Sequence, residues 1–473
     1  MKRYVETTDS IKVPRSLRER VVNEKSRRRP VWIAVAAAAA VIAIIVAIVL
    51  PGGGITPIAG AIYMAKYPEM SPYPENESQK AYEAWWEDIK AQRRPDGYAD
   101  GLEDFFTTSI RELLSGAGDE NAACSPLNIY MALGMLGELT DGETREQILE
   151  LLGCGSIEEL RRQAGDVWNA TYLDDGATRS ILASSLWLNE DVDFNADTLE
   201  TLAKTYYASS FQGEMGSEEL NGSLHQWLNE QTGGLLTDQV DNINLKADTI
   251  LALAATVYFR AKWTPEFSES HTEPGTFHSP AVDITCEFMH QGGTDTYYWG
   301  EGFSAVSKYL ESGGRMWFIL PDEGVTPEEL INSDEVMDFI LSSDGRKNSK
   351  TLIVNKSIPK FDISSRTDLI ESLAAMGITD VLNPDIADFS PMTDEDFTPG
   401  IDGQGIYLSQ ATHGVRVAID EEGVTAAAYT VMATAEAGEP PEEEVDFILD
   451  RPFIFVITNP DGLPLFAGIV NEP

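Results

Sequence analysis

Twenty consecutive residues, Val31 to Leu50 (VWIAVAAAAAVIAIIVAIVL), carry no charge. A helix rising about 1.5 Å per residue covers the roughly 30 Å hydrocarbon core of a bilayer with that length. A core helix of a soluble protein keeps a polar face, whereas this run is apolar on every face and is preceded by Arg27-Arg28-Arg29. Residues 1–30 contain ten basic and four acidic residues, although the chain as a whole has a net charge of −43. Basic residues on one flank and an acidic bulk on the other predict a single-pass membrane protein, N-terminus cytoplasmic and remainder extracellular. A cleaved signal peptide, giving a secreted protein, is the alternative; a basic segment of this length is long for a signal sequence.

The predicted organisation is a basic cytoplasmic segment over 1–30, a transmembrane anchor over 31–50, a tether over 51–99 and one folded domain over 100–473. The tether begins Pro51-Gly52-Gly53-Gly54, continues through YPEMSPYPENESQ, and leaves room for one short helix around Trp85 and Trp86. Beyond residue 100 no repeat and no low-complexity linker divides the chain. Hydrophobic residues make up 43% of the sequence, enough for a core, so the acidity belongs to a folded surface. That surface excludes a nucleic-acid partner. Cys124, Cys154 and Cys286 are too few for a disulfide framework and stand at no metal-ligand spacing. Neither a cofactor nor a metal is expected. The chain also lacks Gly-x-Ser-x-Gly, His-Glu-x-x-His, a P-loop and Cys-x-x-Cys, so it is not read as an enzyme. Asn-x-Ser/Thr sequons begin at Asn76, Asn169, Asn221 and Asn355, candidates for glycosylation outside the cell.

Local patterns describe an α+β domain. Phe105 to Leu114 has helical spacing of apolar residues; Pro126 suits the first turn of the next helix; Thr144-x-x-Gln147 reads as a capping box for the one after, which Gly153 can end. TILALAATVYF and GRMWFILP read as buried strands, and RPFIFVI, Asn459-Pro460-Asp461-Gly462 and LPLFAGIV as strand, turn and strand.

In this order the segments resemble the serpin family from about Phe105 to the C-terminus. The likeness rests on NAACSPLNI, DGETREQIL, LHQWLNEQTGGLL, VYFRAKWTPEF, EFMHQ, WFILP, IPKF, LAAMGITDVL, ADFS, DEEGVTAAAYT, RPFIFVI and PLFAGIV. The resemblance implies the serpin fold, with three β-sheets, a cluster of eight to nine helices and an exposed reactive-centre loop, here about 421–446. It also implies a mechanism: a serine protease cleaves the loop, forms its acyl-enzyme, and is trapped as the freed segment inserts into the central sheet.

The hinge is Glu421, Glu422, Gly423, Val424, Thr425, Ala426, Ala427 and Ala428. Gly423 supplies backbone freedom and the alanines have no long side chain to order. Strand alternation places Val424, Ala426, Ala428, Thr430, Met432 and Thr434 on one small-to-medium, largely apolar face that suits burial. From Gly423 to Ala428 the hinge has none of the bulky, charged or proline residues that would favour the alternative of a non-inhibitory binding scaffold. AEAGEPPEEE, which follows, reads as a solvated, protease-accessible loop. Spacing from Glu421 in inhibitory relatives places the reactive bond at Ala437-Gly438, with Glu436-Ala437 second; counting back from Phe447 gives Glu439-Pro440, where the proline makes a poor substrate. No Lys or Arg lies between Arg416 and Arg451, which turns the prediction from trypsin-like proteases to elastase-like or subtilisin-like ones with small P1 pockets, or to a glutamyl endopeptidase. The resemblance further implies a polar cluster where the central strands part. Its positions here are Ser125, Asn128, Ala255 and His413, with Asn128 and Ala255 departing from the usual serine and asparagine. The chain is expected to act as a monomer.

Overall fold

The computed structural model describes residues 60–473 except 75–77, 93–96, 177, 235–239, 241–242, 312, 343–344, 396–404 and 425–440. The anchor at 31–50, the cytoplasmic segment, the sequon at Asn76, the hinge residues Thr425, Ala426, Ala427 and Ala428, and the reactive-bond candidates Glu436, Ala437 and Gly438 lie outside the described residues. No helix among the described residues is long and apolar enough to cross a membrane.

Two half-sheets form the centre of the molecule. In the first, Ala61–Tyr63 pairs with Ala208–Gly213, which runs parallel to Arg179–Asn189, which pairs antiparallel with Leu251–Thr264. In the second, Phe361–Asp368 pairs antiparallel with Thr412–Ile419. Among the described residues, only the short strand Gly423–Val424 joins the halves: Gly423 stands opposite Lys262, and Val424 opposite both Ala261 and Ile419. Below that junction, Leu251 to Arg260 and Thr412 to Ala418 have ladder partners on one edge only among the described residues.

A second sheet backs this one. Phe303–Leu310, Arg315–Pro321, Phe453–Thr458, Pro464–Val470 and Ala122–Cys124 follow one another in antiparallel order. Its strands are apolar at consecutive positions because both faces are covered, and Phe453 to Thr458 are all buried. The main core lies between the sheets, where Leu253, Val257, Phe259, Val415 and Val417 meet Phe455 and Phe466. A third ladder runs from Thr272–His278 through Asp283–Gly300 and Ser349–Pro359 to Glu444–Ile448, the strand that follows the loop. Phe447 anchors that strand in the core.

Helix boundaries follow local chemistry. Ser125 caps Pro126–Leu139, Ser156 caps Ile157–Thr171 and Ser217 caps Glu218–Gln231, each hydroxyl accepting a backbone N–H in the first turn. The expected capping box at Thr144 and Gln147 is absent. The helix starts earlier, at Gly142, and the two side chains bind outward instead: Thr144 Oγ1 accepts from Asp388 N, and Gln147 Oε1 from Thr379 N and Asp380 N. Tertiary partners have outcompeted the local motif. The sequon amides are also engaged. Asn169 Nδ2 donates to Gly165 O, Asn221 Nδ2 to Ser217 O, and Asn355 Nδ2 to Glu444 and Asp446.

The segment read as a tether over 51–99 differs most from its sequence expectation. Its described part belongs to the compact unit Ile58–Pro473. Ala61–Tyr63 completes a sheet edge, and the helix Gln79–Gln92 buries Trp85 to 3% exposure against Leu173. Aromatic residues at 67, 73, 82 and 85 provide enough apolar area to dock a stretch whose prolines suggested only a linker.

Candidate functional site: a seated hinge above a polar cluster

Asp420 turns the chain from Thr412–Ile419 into the hinge. Its Oδ1 accepts from Glu422 N and Gly423 N, its backbone N donates to Gly423 O, and its carbonyl accepts from the Trp263 indole at 2.8 Å. Trp263 N donates to Glu422 O, and Phe267 N to Glu421 O. The hinge strand is therefore fastened through its backbone on both sides. Gly423 is required by proximity: a methyl group there would sit 2.4 Å from the Ala261 carbonyl oxygen and 2.8 Å from Lys262 Cα. Val424, beside it, is buried in the main core.

Glu421 is clamped by two donors, Lys360 Nζ at 2.7 Å and Thr272 Oγ1 at 2.7 Å, while Lys360 also reaches Glu287 at 2.9 Å. Burial pushes the Glu421 carboxyl up, but these hydrogen bonds outweigh it and hold the group below its ordinary value. Glu422 is part-buried beside Glu266, whose carboxyl is raised by burial first, opposed by Lys262, and raised further by the charges of Glu422 and Asp420. Behind the clamp, Lys308 is buried, donates to Pro265 O and Gln291 Oε1, and lies 4.4 Å from the centre of the Phe267 ring. Burial brings its pKa down to about 7.

The four residues assigned to the polar cluster come together lower in the sheet. Ser125 N donates to His413 Nε2 at 2.9 Å, and Ser125 Oγ accepts from Asn128 N. Asn128 Nδ2 donates to the Ala255 carbonyl at 3.2 Å. Asn128 thus reaches the backbone of Leu251–Thr264, while His413 extends from Thr412–Ile419, so both facing edges are tethered to the helix Pro126–Leu139. A cavity of about 20 Å³ lies beside Ser125 and Asn128, lined also by Val257 and Val415. Full burial lowers the His413 pKa to about 4, leaving a neutral imidazole whose Nε2 is an acceptor. Ser125 and His413 do not form a nucleophile–base pair: the imidazole nitrogen receives the backbone N–H, and the hydroxyl caps a helix. Among the described residues there is no group of His, Cys, Asp and Glu able to hold a metal ion.

Sequence reasoning picked out Lys360 and Trp263 only as parts of the motifs IPKF and VYFRAKWTPEF. Their hold on Glu421 and Asp420 was missed because it joins residues 61 and 157 positions apart. A lysine just before a strand and a tryptophan at the end of another were the available signals.

The family description "Serpin (serine protease inhibitor)" matches residues 100–473. The chain is similar to plasminogen activator inhibitor 1 of Bos taurus, 28% identical over 390 residues that cover 78% of this chain and 91% of that one. It is similar also to alpha-1-antiproteinase of Rattus norvegicus, 27% identical, with 79% and 88% covered. Among solved structures, a thermophilic serpin, tengpin, in the native state superimposes with a TM-score of 0.69 at 25% identity, covering 88% of this chain and all of that one.

Proposed function

Because this chain belongs to the serpin family, which has inhibitory members, we propose that it is a suicide-type inhibitor of serine proteases, displayed outside the cell on the anchor at residues 31–50. The observation that carries this reading is the seated strand Gly423–Val424 between two half-sheets that have no other ladder between them among the described residues.

Continuing the two registers by one residue at a time predicts where a cleaved loop would go. Ala426 would stand between Phe259 and Val417, Ala428 between Val257 and Val415, and Thr430 between Ala255 and His413. Thr425 to Val431 would have a partner on both edges, ending against Thr412; Met432 to Thr434 would continue along Leu253 to Leu251. Residues 424, 426, 428 and 430 would share the face that meets the core. The polar member of that inner wall, His413, would receive the threonine, and its apolar members the alanines. Insertion would add a ladder to both edges and bury this face, a gain unavailable while the loop is intact and long enough only to begin the strand.

Cleavage by a serine protease joins the loop carbonyl to the protease serine and releases the new amino terminus. If insertion outruns deacylation, the acyl-enzyme is carried away with the loop. The proposed bond is Ala437-Gly438, with Glu436-Ala437 second, and the proposed target is an exterior elastase-like or subtilisin-like protease, or a glutamyl endopeptidase for the second bond.

The test is to nick the purified full chain in the 430s with a brief elastase or subtilisin treatment, map the cut by mass, and compare thermal unfolding before and after. We expect the nicked form to unfold some tens of degrees higher, about the interval between ordinary and hyperstable domains. An unchanged transition would mean that the cut loop stays outside the sheet, and would replace the inhibitor reading with that of a binding scaffold.

A further inference from the structure

We propose that Gly414 and Thr256 form a socket for Tyr429, the one aromatic side chain of residues 425–440, and that this fit sets the register in which a cleaved loop enters the sheet. The proposal rests on the insertion reading above and deepens it. Tyr429 lies outside the described residues; the structure supplies the walls that it would meet.

Val424 stands opposite Ala261 on one side and Ile419 on the other. Both ladders are antiparallel, so each step forward along the loop is one step back along either edge. Even-numbered loop residues take the inner face, as described above, and odd-numbered ones the outer face. Ala427 would then stand between Tyr258 and Arg416, and Tyr429 between Thr256 and Gly414. The sizes are matched at both levels: the small loop residue meets two large side chains, and the large one meets a threonine and no side chain at all.

The two large side chains beside Ala427 are held in place. Tyr258 is buried and lies against Gly233, just beyond the helix Glu218–Gln231; a methyl group on that glycine would sit 2.8 Å from the ring. The Arg179 guanidinium is 5.4 Å from the centre of the same ring. Arg416 donates to both carboxylate oxygens of Asp362, at 2.8 and 2.6 Å. Side chains directly opposite in a ladder have Cβ atoms about 4.5–5.5 Å apart, so only a small residue fits between these two. Gly414, by contrast, occupies an ordinary ladder position opposite Arg366, where no turn calls for a glycine. A glycine inside a strand weakens it, and its usual reason is the close approach of another group. The cavity beside Ser125 and Asn128 also extends along Thr232, Gly414 and Arg416, so space exists at this level before any insertion.

In register, the Tyr429 ring covers Gly414 and makes up for the side chain that the strand lacks. A bulge of one residue between Val424 and Tyr429 would turn the ring inward, onto Val257 and Val415. A bulge of two would set it between Tyr258 and Arg416, which exclude it. The socket therefore admits the segment in one alignment and rejects its near neighbours.

The experiment uses the full chain, nicked in the 430s with elastase and mapped by mass, and follows the gain in thermal stability with time after nicking. Gly414→Val fills the socket, Tyr429→Ala removes its occupant, and the double variant does both; Thr412→Val, isosteric and on the same strand, is the control. We expect Gly414→Val to gain stability at least about tenfold more slowly than wild type, as overpacking of a fitted site predicts. The double variant should recover most of the wild-type rate, and the control should match wild type. A Gly414→Val protein that inserts at the wild-type rate would overturn the socket. So would a delay that persists in the double variant, because the valine would then act on the sheet and not on Tyr429. Should Gly414→Val fail to fold, Tyr429→Ala decides by itself: its intact form should unfold with wild type and its nicked form at a lower temperature than nicked wild type. Equal transitions for the two nicked forms would overturn the proposal. If nicking brings wild type no gain at all, the insertion reading itself fails and the socket with it, an outcome told apart because no variant is involved.

Discussion

Protonation of His413 provides a direct measure of how the polar cluster is built. The imidazole is fully buried and accepts the Ser125 backbone N–H at Nε2, so adding a proton there would both bury a charge and displace that hydrogen bond. Its pKa falls from 6.5 to about 4 in the folded protein. Between these values the unfolded chain takes up a proton that the native protein refuses, so stability declines as the pH falls from 6.5 toward 4 and is level above that window. A difference of about 2.5 units at about 1.36 kcal/mol each amounts to roughly 3 kcal/mol. The assay is urea unfolding followed by tryptophan fluorescence, for wild type and His413→Gln, at steps from neutral pH to pH 4. Glutamine offers an acceptor that does not titrate, and the many carboxylates contribute to both proteins alike. The gap between the two curves should move by about 3 kcal/mol in favour of the variant as the pH falls. Parallel curves would refute the reasoning, because they would mean that His413 binds protons equally in both states.

Two further outcomes follow from close contacts. Gly423→Ala forces a methyl group against the Ala261 carbonyl and should destabilise the protein by about 1–3 kcal/mol, with faster amide exchange at Trp263 and Phe267, which donate to the hinge carbonyls; unchanged exchange would show that the hinge is not seated on Leu251–Thr264. Glu138 is buried to 1% and is held bidentately by Arg161, with Tyr206 OH as a further partner. Arg161→Ala leaves that carboxylate poorly compensated and should remove about 2 kcal/mol in urea unfolding, less than for a fully enclosed pair because Arg161 is partly exposed, while Arg161→Lys should recover part of it.

Much of the fold is written in short-range pattern. The runs TILALAATVYF and RPFIFVI form strands because they are apolar at successive positions, as a sheet covered on both faces requires. Ser125 and Pro126 start a helix through a side-chain cap and a missing N–H, both local effects. The small residues from Gly423 onward mark a segment able to change conformation for the same kind of reason: they lose little side-chain freedom on becoming ordered.

Other features depended on residues that meet only after folding. Thr144 and Gln147 spell a capping box, yet bind backbone groups at 379, 380 and 388. Prolines and glycines made residues 51–99 look like a tether, until Tyr67, Tyr73 and Trp85 found surfaces at 168–175 to cover. Asn128 delivers its amide to the carbonyl of Ala255, a backbone group that every residue type presents, so the sequence does not single it out as the acceptor. The clamp of Lys360 on Glu421 joins a charge to its partner across 61 positions. Sequence alone thus determined the family, the order of elements and the composition of the hinge, because propensity, capping and periodicity act between near neighbours. Tertiary structure decided what holds the hinge, what ties the two half-sheets together and where the domain begins, because hydrogen bonds and ion pairs depend on distances of a few ångströms in space and not on separation along the chain.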